Sequence, residues 1–319
     1  MMRWPLLLGC LVLSAGIVRA MARTGPLDLP DARKLHTTPV PRGGGLGIAA
    51  AFLLGMEVLS ASGAIEVGYF RGVMLAAALL AGIGWWDDLR GLPFWGKLAA
   101  QTLGAGLVVE SGLVWPLDGP GWWSGLLTLG WLVVVTNAVN FIDGMDGLAG
   151  GVALVAAGSV ALLAGPSWAG WAGGLLAAGV AGFLPFNLPR ARVFLGDVGS
   201  QFCGFVLGVI GVALAGQGGG AWMPLLLSGV LWDVGFTLAR RAVAGARLTQ
   251  AHRGHLYQLA QRSGVAPGWV ALAQVGFAVL GGVAAWRGVD GWWVLPVAVQ
   301  VGWTAWVLRR ARRAPLGRW

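Results

Sequence analysis

Charge is scarce in this 319-residue chain: only 11% of the residues are Asp, Glu, Lys or Arg. Soluble domains carry about 25%, and this chain adds 57% hydrophobic residues and 55 glycines. Such a composition excludes a soluble enzyme and a disordered chain, because little polar surface is left to cover a globule. Cysteine is scarce too, and Cys10 and Cys203 lie in apolar runs, which excludes a disulfide framework and a cysteine metal site.

Long apolar runs take the place of the missing charge. They lack the alternation of outer-membrane strands, and about 20 apolar residues suffice to cross a bilayer as a helix. The sequence therefore predicts an all-α, polytopic helical membrane protein that forms one transmembrane domain over residues 1–319. Ten or eleven helices fit, since only the break at Pro166 separates the sixth from the seventh. The predicted spans are 4–20, 44–62, 68–86, 96–113, 121–141, 148–165, 168–186, 199–215, 221–241, 267–286 and 290–308.

The basic residues predict the orientation of these spans. Of the 22 lysines and arginines, all but Arg3, Arg71 and Arg287 fall on the side of the loop that follows the first span. Positive residues stay in the cytoplasm, so the N-terminus is predicted outside and the C-terminus inside. We interpret the net charge of +9 as topology control, with no nucleic-acid partner. The predicted cytoplasmic loops are about 20–43, 86–96, 141–148, 186–199 and 240–267.

Acid–base groups collect on this same cytoplasmic side. Ionisable residues at membrane depth are costly and indicate function. The residues concerned are Asp28, Asp31, Asp87, Asp88, Asp143, Asp146, Asp197, His36, His252 and His255.

Two adjacent carboxylates, Asp87 and Asp88, end the third span, and their repulsion calls for a cation beside them. Lys97, at the start of the next span, could approach the same site. A solvated helix end is the alternative.

The end of the fifth span carries four oxygen-bearing side chains: Asn137, Asn140, Asp143 and Asp146. The two asparagines share a helical face, and the two Asp-Gly pairs would end the helix. Such a set suits Mg²⁺, which takes few protein ligands and keeps waters. A helix-ending turn alone would explain only one Asp-Gly pair.

Three further segments have both a purely structural and a functional interpretation. Asp197 either caps the eighth span or meets a phosphate through a metal ion. The segment His252-Arg253-Gly254-His255 lacks further zinc ligands nearby and suits a diphosphate better. The loop with Arg33, Lys34, His36 and Arg42 either controls topology or binds substrate.

Taken in order, these motifs resemble those of the polyprenyl-phosphate N-acetylhexosamine-1-phosphate transferases. The resemblance covers about residues 30 to 258 and includes the Pro-Arg-Gly-Gly at 41–44, Asp87-Asp88 and Lys97-Leu-Ala-Ala-Gln101. It continues with Asn137-x-x-Asn140-x-x-Asp143-Gly-x-Asp146-Gly, Phe194-x-Gly-Asp197-x-Gly-Ser and His252-x-x-His255.

The resemblance implies an enzyme of the bacterial inner (plasma) membrane with its active site on the cytoplasmic face. Such an enzyme uses Mg²⁺, or Mn²⁺ in its place, to transfer an N-acetylated sugar-1-phosphate from a UDP-sugar to undecaprenyl phosphate, releasing UMP. The His-Arg-Gly-His-Leu-Tyr-Gln form favours the branch that initiates O-antigen-like polysaccharides. Whether the protein forms a homodimer is left open.

The same resemblance suggests roles for single residues. Asn140 and Asp197 would hold the metal, while Asp87, Asp88 and Asp143 would take part in catalysis or the metal shell. Lys97, Asn137, Asp146, His252, Arg253, His255, Lys34 and Arg42 would bind substrate.

Two alternative functions remain at this point. A phospho-MurNAc-pentapeptide transferase of peptidoglycan synthesis has similar motifs. A secondary transporter would explain polar residues inside spans, here Glu57 and Asp233, but transporters place their sites near the midplane, whereas these motifs gather on one side.

Overall fold

The computed structural model describes residues 3–29, 38–247, 249–250, 252–288 and 291–316. In this part of the chain nearly all regular structure is helical. The helices are α1 (Arg3–Thr24), α2 (Gly45–Ala61), α3 (Phe70–Arg90), α4 (Phe94–Glu110), α5 (Gly121–Ile142), α6 (Leu148–Leu163), α7 (Trp168–Asn187), α8 (Gly196–Ala215), α9 (Trp222–Leu226), α10 (Ser228–Val243), α11 (Leu256–Arg262), α12 (Pro267–Trp286) and α13 (Val294–Arg313).

The fold is that of a polytopic helical membrane protein, as the apolar runs predicted. Six of the described helices, α1, α3, α5, α7, α8 and α12, are long and apolar enough to cross a membrane by themselves. The predicted sixth and seventh spans are separate helices: α6 ends at Leu163, and Ser167 caps α7 by accepting a hydrogen bond from the Gly170 N–H at 3.1 Å.

The ninth predicted span, 221–241, was wrong as one continuous helix. It divides at Leu227 into α9 and α10. Pro224, Ser228 and Gly229 are all weak helix formers and lie around this point, so the local sequence tolerates the interruption.

The central helix of the bundle is α8, which is buried along its whole apolar length. It packs against α3 and α5 and also touches α2 and α7. The start of α2 comes so close that a Cβ on Gly45 would lie 2.1 Å from the Gly199 Cα. Glycine is therefore required there, and this contact fixes α2 beside the first turn of α8.

Two short features were not predicted. Leu27–Asp28 and Val40–Pro41 pair as two short antiparallel strands, β1 and β2, which we call the hairpin. The hairpin continues toward α8, since the Phe194 N–H donates to the Pro41 carbonyl at 2.8 Å. The second feature is α11, a seven-residue helix inside the predicted loop 240–267.

Candidate active site

A cavity of about 510 Å³ opens at one end of the bundle, where α3 and α5 end and α4 and α8 begin. Most of the predicted site residues line it. Its described lining consists of Asp28, Arg42, Asp88, Lys97, Asn140, Asp143, Gly144, Met145, Asp146, Asn187, Phe194, Gly196, Asp197, Arg253, Gln258, Gln261, Arg262 and Pro267.

Some predicted site residues lie elsewhere. Asp87, Asn137, His252 and His255 are not in the cavity lining, although each lies close behind it. Lys34, together with Arg33 and His36, lies outside the described residues. The structure therefore brings the ends of the spans together, as the motifs predicted. It places Asp87, Asn137, His252 and His255 behind the residues that line the cavity.

Four side chains from four helices meet at what we call the acidic centre: Asp87, Lys97, Asn140 and Asp197. The Lys97 Nζ lies 2.5 Å from the Asp87 Oδ2 and 3.3 Å from the Asp197 Oδ2. The Asn140 Nδ2 donates to the Asp197 Oδ1 at 2.5 Å and to the Ser200 Oγ at 2.8 Å. The cation expected beside the aspartate pair is thus Lys97, shared between two carboxylates that are distant in sequence.

Asp88 has a different role from its neighbour. It is buried, and its Oδ1 and Oδ2 accept hydrogen bonds from the backbone N–H groups of Asp197 at 2.9 Å and of Val198 at 3.1 Å. These N–H groups belong to the first turn of α8, which has no partners within its own helix. Asp88 therefore caps α8, and its predicted part in catalysis stays a prediction.

The cap interpretation of Asp197 was wrong, because Leu195 occupies the N-cap position and Asp197 lies inside the first turn. Gly196 has a φ of 76° and a Cβ there would lie 2.4 Å from the Asp88 Oδ2. Only glycine lets the backbone approach the capping carboxylate in this way. The turn thereby aims the Asp197 side chain into the acidic centre.

An amide cluster of Gln101, Asn137 and Gln201 lies deeper in the bundle. The Asn137 Nδ2 donates to the Gln101 Oε1 at 2.5 Å, and the Gln101 Nε2 donates to the Gln201 Oε1 at 3.2 Å. Asn137 was predicted to bind substrate, but here it joins helices α4, α5 and α8. Gln201 was missed, although its place four residues after Asp197 puts it on the same helical face.

The Asp143–Asp146 turn forms the next part of the wall. Asp143 ends α5, and burial raises its pKa well above the usual value, with the negative charges of Asp197 and Asp88 adding to the shift. The Asp146 Oδ2 accepts a hydrogen bond from the Ala191 N–H at 3.0 Å. Asp146 thus also fixes the loop that leads into α8.

Basic groups face this acidic wall from other segments. Arg42 forms an ion pair with Asp28 across the hairpin, and Arg253 and Arg262 also line the cavity. The Arg262 Nη1 donates to the Arg253 carbonyl at 2.9 Å, so the two arginines are held together. Arg262, Gln258 and Gln261 were missed, although their spacing on α11 places them on one helical face.

The two predicted histidines stack behind this basic side. The ring centroids of His252 and His255 are 4.9 Å apart, and His255 is buried. The pKa of His252 is lowered to about 4, first by burial and then by His255 and nearby arginines. Its Nδ1 accepts a hydrogen bond from the Gly254 N–H at 3.2 Å, as a neutral imidazole can.

The ligand atoms that the acidic centre offers fit a hard divalent cation. Two carboxylates and an amide, from Asp87, Asp197 and Asn140, offer only oxygen ligands, which Mg²⁺ prefers. No cluster of three or more His, Cys, Asp or Glu suited to a metal occurs among the described residues. A cation here would therefore keep several waters or ligand oxygens, as Mg²⁺ does at phosphate sites.

Comparison with known proteins identifies relatives of this architecture. A model of glycosyl transferase family 4 matches residues 70–215. A decaprenyl-phosphate N-acetylglucosaminephosphotransferase of Mycobacterium leprae is 34% identical over 64% of this chain and 58% of its own length. An undecaprenyl-phosphate alpha-N-acetylglucosaminyl 1-phosphate transferase of Thermotoga maritima is 30% identical over 69% of this chain and 68% of its own length.

A third relative comes from another branch. The phospho-N-acetylmuramoyl-pentapeptide-transferase of Desulforudis audaxviator is 34% identical over 54% of this chain and 62% of its own length. The matched region of the chain thus spans less than two thirds of the length of the Mycobacterium leprae relative and of the Desulforudis audaxviator relative.

Fold and site define a polytopic helical membrane protein whose one-sided cavity joins an acidic centre to a group of arginines. The chain belongs to glycosyl transferase family 4, as its motifs predicted.

Proposed function

We propose that this protein transfers an N-acetylated sugar-1-phosphate from a UDP-sugar to undecaprenyl phosphate, releases UMP, and so initiates an O-antigen-like polysaccharide on its lipid carrier. The relatives support the coarser part of this proposal, since two of them are named as N-acetylglucosamine-phosphate transferases acting on a polyprenyl phosphate.

The observation that carries the proposal is the pairing of charges in one cavity at the end of a membrane-embedded bundle. The acidic centre lies on one wall, and Arg42, Arg253 and Arg262 lie on others. Donor diphosphate and acceptor phosphate repel each other, so both need cationic partners before they can react. A cavity at a span border also suits a soluble nucleotide that meets a lipid.

In the proposed reaction an oxygen of the acceptor phosphate attacks the sugar-bearing phosphorus of the donor. The new P–O bond forms as the bond to the bridging oxygen breaks, and UMP leaves with that electron pair. A phosphate monoester is already largely ionised near neutral pH, so positioning contributes more than proton removal. Arginine side chains suit the diphosphate, since each can donate two parallel hydrogen bonds.

The geometry favours direct attack over a covalent aspartyl intermediate. The Asp87 Oδ2 is paired with Lys97, and its Oδ1 accepts from the Leu92 N–H, while both oxygens of Asp88 cap α8. A carboxylate held in this way is a poor nucleophile. Isolation of a phosphorylated enzyme after addition of donor alone would contradict this step.

Mg²⁺, or Mn²⁺ in its place, would supply charge neutralisation between donor and acceptor phosphates. Asp197, Asn140 and Asp87 are the residues that would hold it. Lys97 would then turn from the two carboxylates toward a phosphate oxygen, because its long side chain lies at the cavity surface.

We place the cavity at the cytoplasmic face of a bacterial inner membrane. The basic residues that predict this orientation include Arg42, Arg253 and Arg262, which line the cavity themselves. A homodimer stays a prediction, and the mass of the purified protein in detergent would test it.

The test is a donor screen. Membranes containing the protein are incubated with undecaprenyl phosphate, Mg²⁺ and a panel of UDP-sugars, and UMP and the lipid product are measured. We expect a UDP-N-acetylated hexosamine to react and chelation to stop the reaction. Asp197→Asn and Asp87→Asn should abolish transfer with normal amounts of folded protein. Absence of UMP release with every donor would refute the proposal.

Two other outcomes correspond to the rivals. Reaction with UDP-MurNAc-pentapeptide alone would identify the peptidoglycan branch. Substrate flux into liposomes without UMP release would identify a transporter. The structure gives this last alternative little support, because Glu57 is exposed on α2 and the buried Asp233 is saturated with hydrogen bonds.

A further inference from the structure

Among the described residues, Asp233 is the most deeply buried carboxylate outside the cavity lining. It lies in α10, is 1% exposed, and its Oδ1 and Oδ2 accept hydrogen bonds from the backbone N–H groups of Leu256 and Tyr257, both at 2.9 Å. The same Oδ1 lies 3.1 Å from the His255 Nδ1 and 3.3 Å from the Thr237 Oγ1. This set of donors matches the acceptor capacity of an ionised carboxylate.

These contacts join α10 to the start of α11. Leu256 and Tyr257 are the first residues of α11, and His255 is its N-cap residue. Because an ionised carboxylate can only accept, the His255 Nδ1 has to carry the proton, which fixes the tautomer of that ring. Asp233 thus holds both the first turn of α11 and the ring that precedes it.

The other side of α11 docks on the end of α5. The Tyr257 hydroxyl donates to the Phe141 carbonyl at 3.1 Å. A Cβ on Gly144 would lie 2.3 Å from the same hydroxyl oxygen, so the turn after α5 comes this close only because it has glycine there. The position of α11 is therefore tied to the turn that carries Asp143.

The residues that α11 presents to the cavity all depend on this docking. Gln258, Gln261 and Arg262 belong to the helix, and Arg253 is held to it by the Arg262 side chain. None of them belongs to the acidic centre, which is built from α3, α4, α5 and α8. The α11 wall (Arg253, Gln258, Gln261 and Arg262) is thus a separate unit of the cavity lining.

We propose that Asp233 is a positioning residue that sets the α11 wall at the distance from the acidic centre that the sugar nucleotide requires. The proposal rests on the transferase function above and deepens it. Asp233 touches no substrate; it acts through the first turn of α11 and His255. Binding of the donor should depend on Asp233, while the acidic centre should not.

The first test uses Asp233→Asn with Gly235→Ala as the matched control, because Gly235 lies on the same helix, is exposed and has open space around it. Asparagine keeps the shape but turns an NH₂ group toward one of the N–H donors. Loss of a buried hydrogen bond to a charged group weakens an interaction by about tenfold or more. We expect the KM for the UDP-sugar to rise about tenfold or more, with kcat within about threefold of the wild type and an unchanged Mg²⁺ requirement. Gly235→Ala should alter none of these.

A second measurement does not depend on activity. Both native cysteines are buried, so a cysteine introduced by Gln261→Cys can be labelled selectively with a maleimide. Labelling should become several-fold faster when Asp233→Asn is added and should not change when Gly235→Ala is added. If Asp233→Asn does not fold, Tyr257→Phe, which removes the hydrogen bonds of the hydroxyl with the Phe141 carbonyl and the Gln258 Nε2, should raise the KM in the same direction.

The two proposals fail in different ways. Lack of UMP release by the wild type refutes the transferase function, while the labelling rates still test the positioning role. Unchanged KM in Asp233→Asn, or in Tyr257→Phe if the first variant does not fold, refutes the positioning role in an active enzyme. Loss of kcat with an unchanged KM, or equal labelling rates in both backgrounds, also contradicts it.

Discussion

Replacement of Asp88 by asparagine separates a helix-capping role from a catalytic one. The Asp88 carboxylate accepts two hydrogen bonds from the first turn of α8 at 2.9 and 3.1 Å, in a buried position. Asparagine keeps one acceptor oxygen and places its NH₂ group against the other N–H. We therefore expect Asp88→Asn to destabilise the protein and to lower activity through displacement of Asp197.

The magnitude follows from the one bond that is lost. A hydrogen bond to a charged group contributes about 1.5–3 kcal/mol, and a buried donor without a partner costs a similar amount. Loss of an N-cap alone costs about 1 kcal/mol. A decrease of about 2–3 kcal/mol in the free energy of unfolding is expected for Asp88→Asn.

The assay is unfolding in detergent, followed by the fluorescence of the 19 tryptophans, with transfer activity measured in parallel. Asp197→Asn is the control, because its side chain faces the acidic centre and caps no helix. That variant should unfold like the wild type and be inactive. Wild-type stability of Asp88→Asn together with complete loss of activity would refute the capping role and restore Asp88 as a reacting group.

Three further predictions concern contacts around the cavity. Gly144→Ala should lower stability and activity because its Cβ meets the Tyr257 hydroxyl, and adding Tyr257→Phe should partly restore both. Gly45→Ala should reduce the yield of folded protein because its Cβ meets the backbone of α8, whereas Gly82→Ala, with open space around it, should be tolerated. Between pH 6.5 and about 4 the unfolded chain protonates His252 while the folded protein does not, so stability should decrease as the pH falls through this window. His252→Gln should make that decrease smaller, and an unchanged slope of stability with pH would contradict the lowered pKa.

The fold followed from the sequence where apolar runs were long. Length and composition located the helices well, because crossing a bilayer imposes both. The break at Leu227 was not predicted, since Pro224, Ser228 and Gly229 only weaken a helix and packing decides where a weak helix divides. Helix α11 was missed for the opposite reason: seven residues give too few turns for periodicity to show.

The site was predicted unevenly. The place of Lys97 beside Asp87 followed from charge repulsion, and that of Asn140 near Asp197 followed from the resemblance to the transferase family. The role of Asp88 could not follow from the sequence, because it depends on which backbone N–H groups of a helix more than a hundred residues away lie within reach. The same holds for Asp233, which looked like an intramembrane charge and is instead a cap for α11.

The aspartates fall into two groups according to the partners of their carboxylate oxygens. Asp88 and Asp233 have both oxygens occupied by N–H groups at the starts of α8 and α11, where the helix dipole favours negative charge. Asp197 instead has the Lys97 ammonium and the Asn140 amide as partners, and both are side chains that can move when a cation or phosphate arrives. Asp88 therefore fixes the first turn of α8 and Asp233 that of α11, while the acidic centre keeps exchangeable partners. The proposed function, which brings two anions and a divalent cation into this site, would need this division, because a carboxylate committed to backbone N–H groups cannot also follow its ligand.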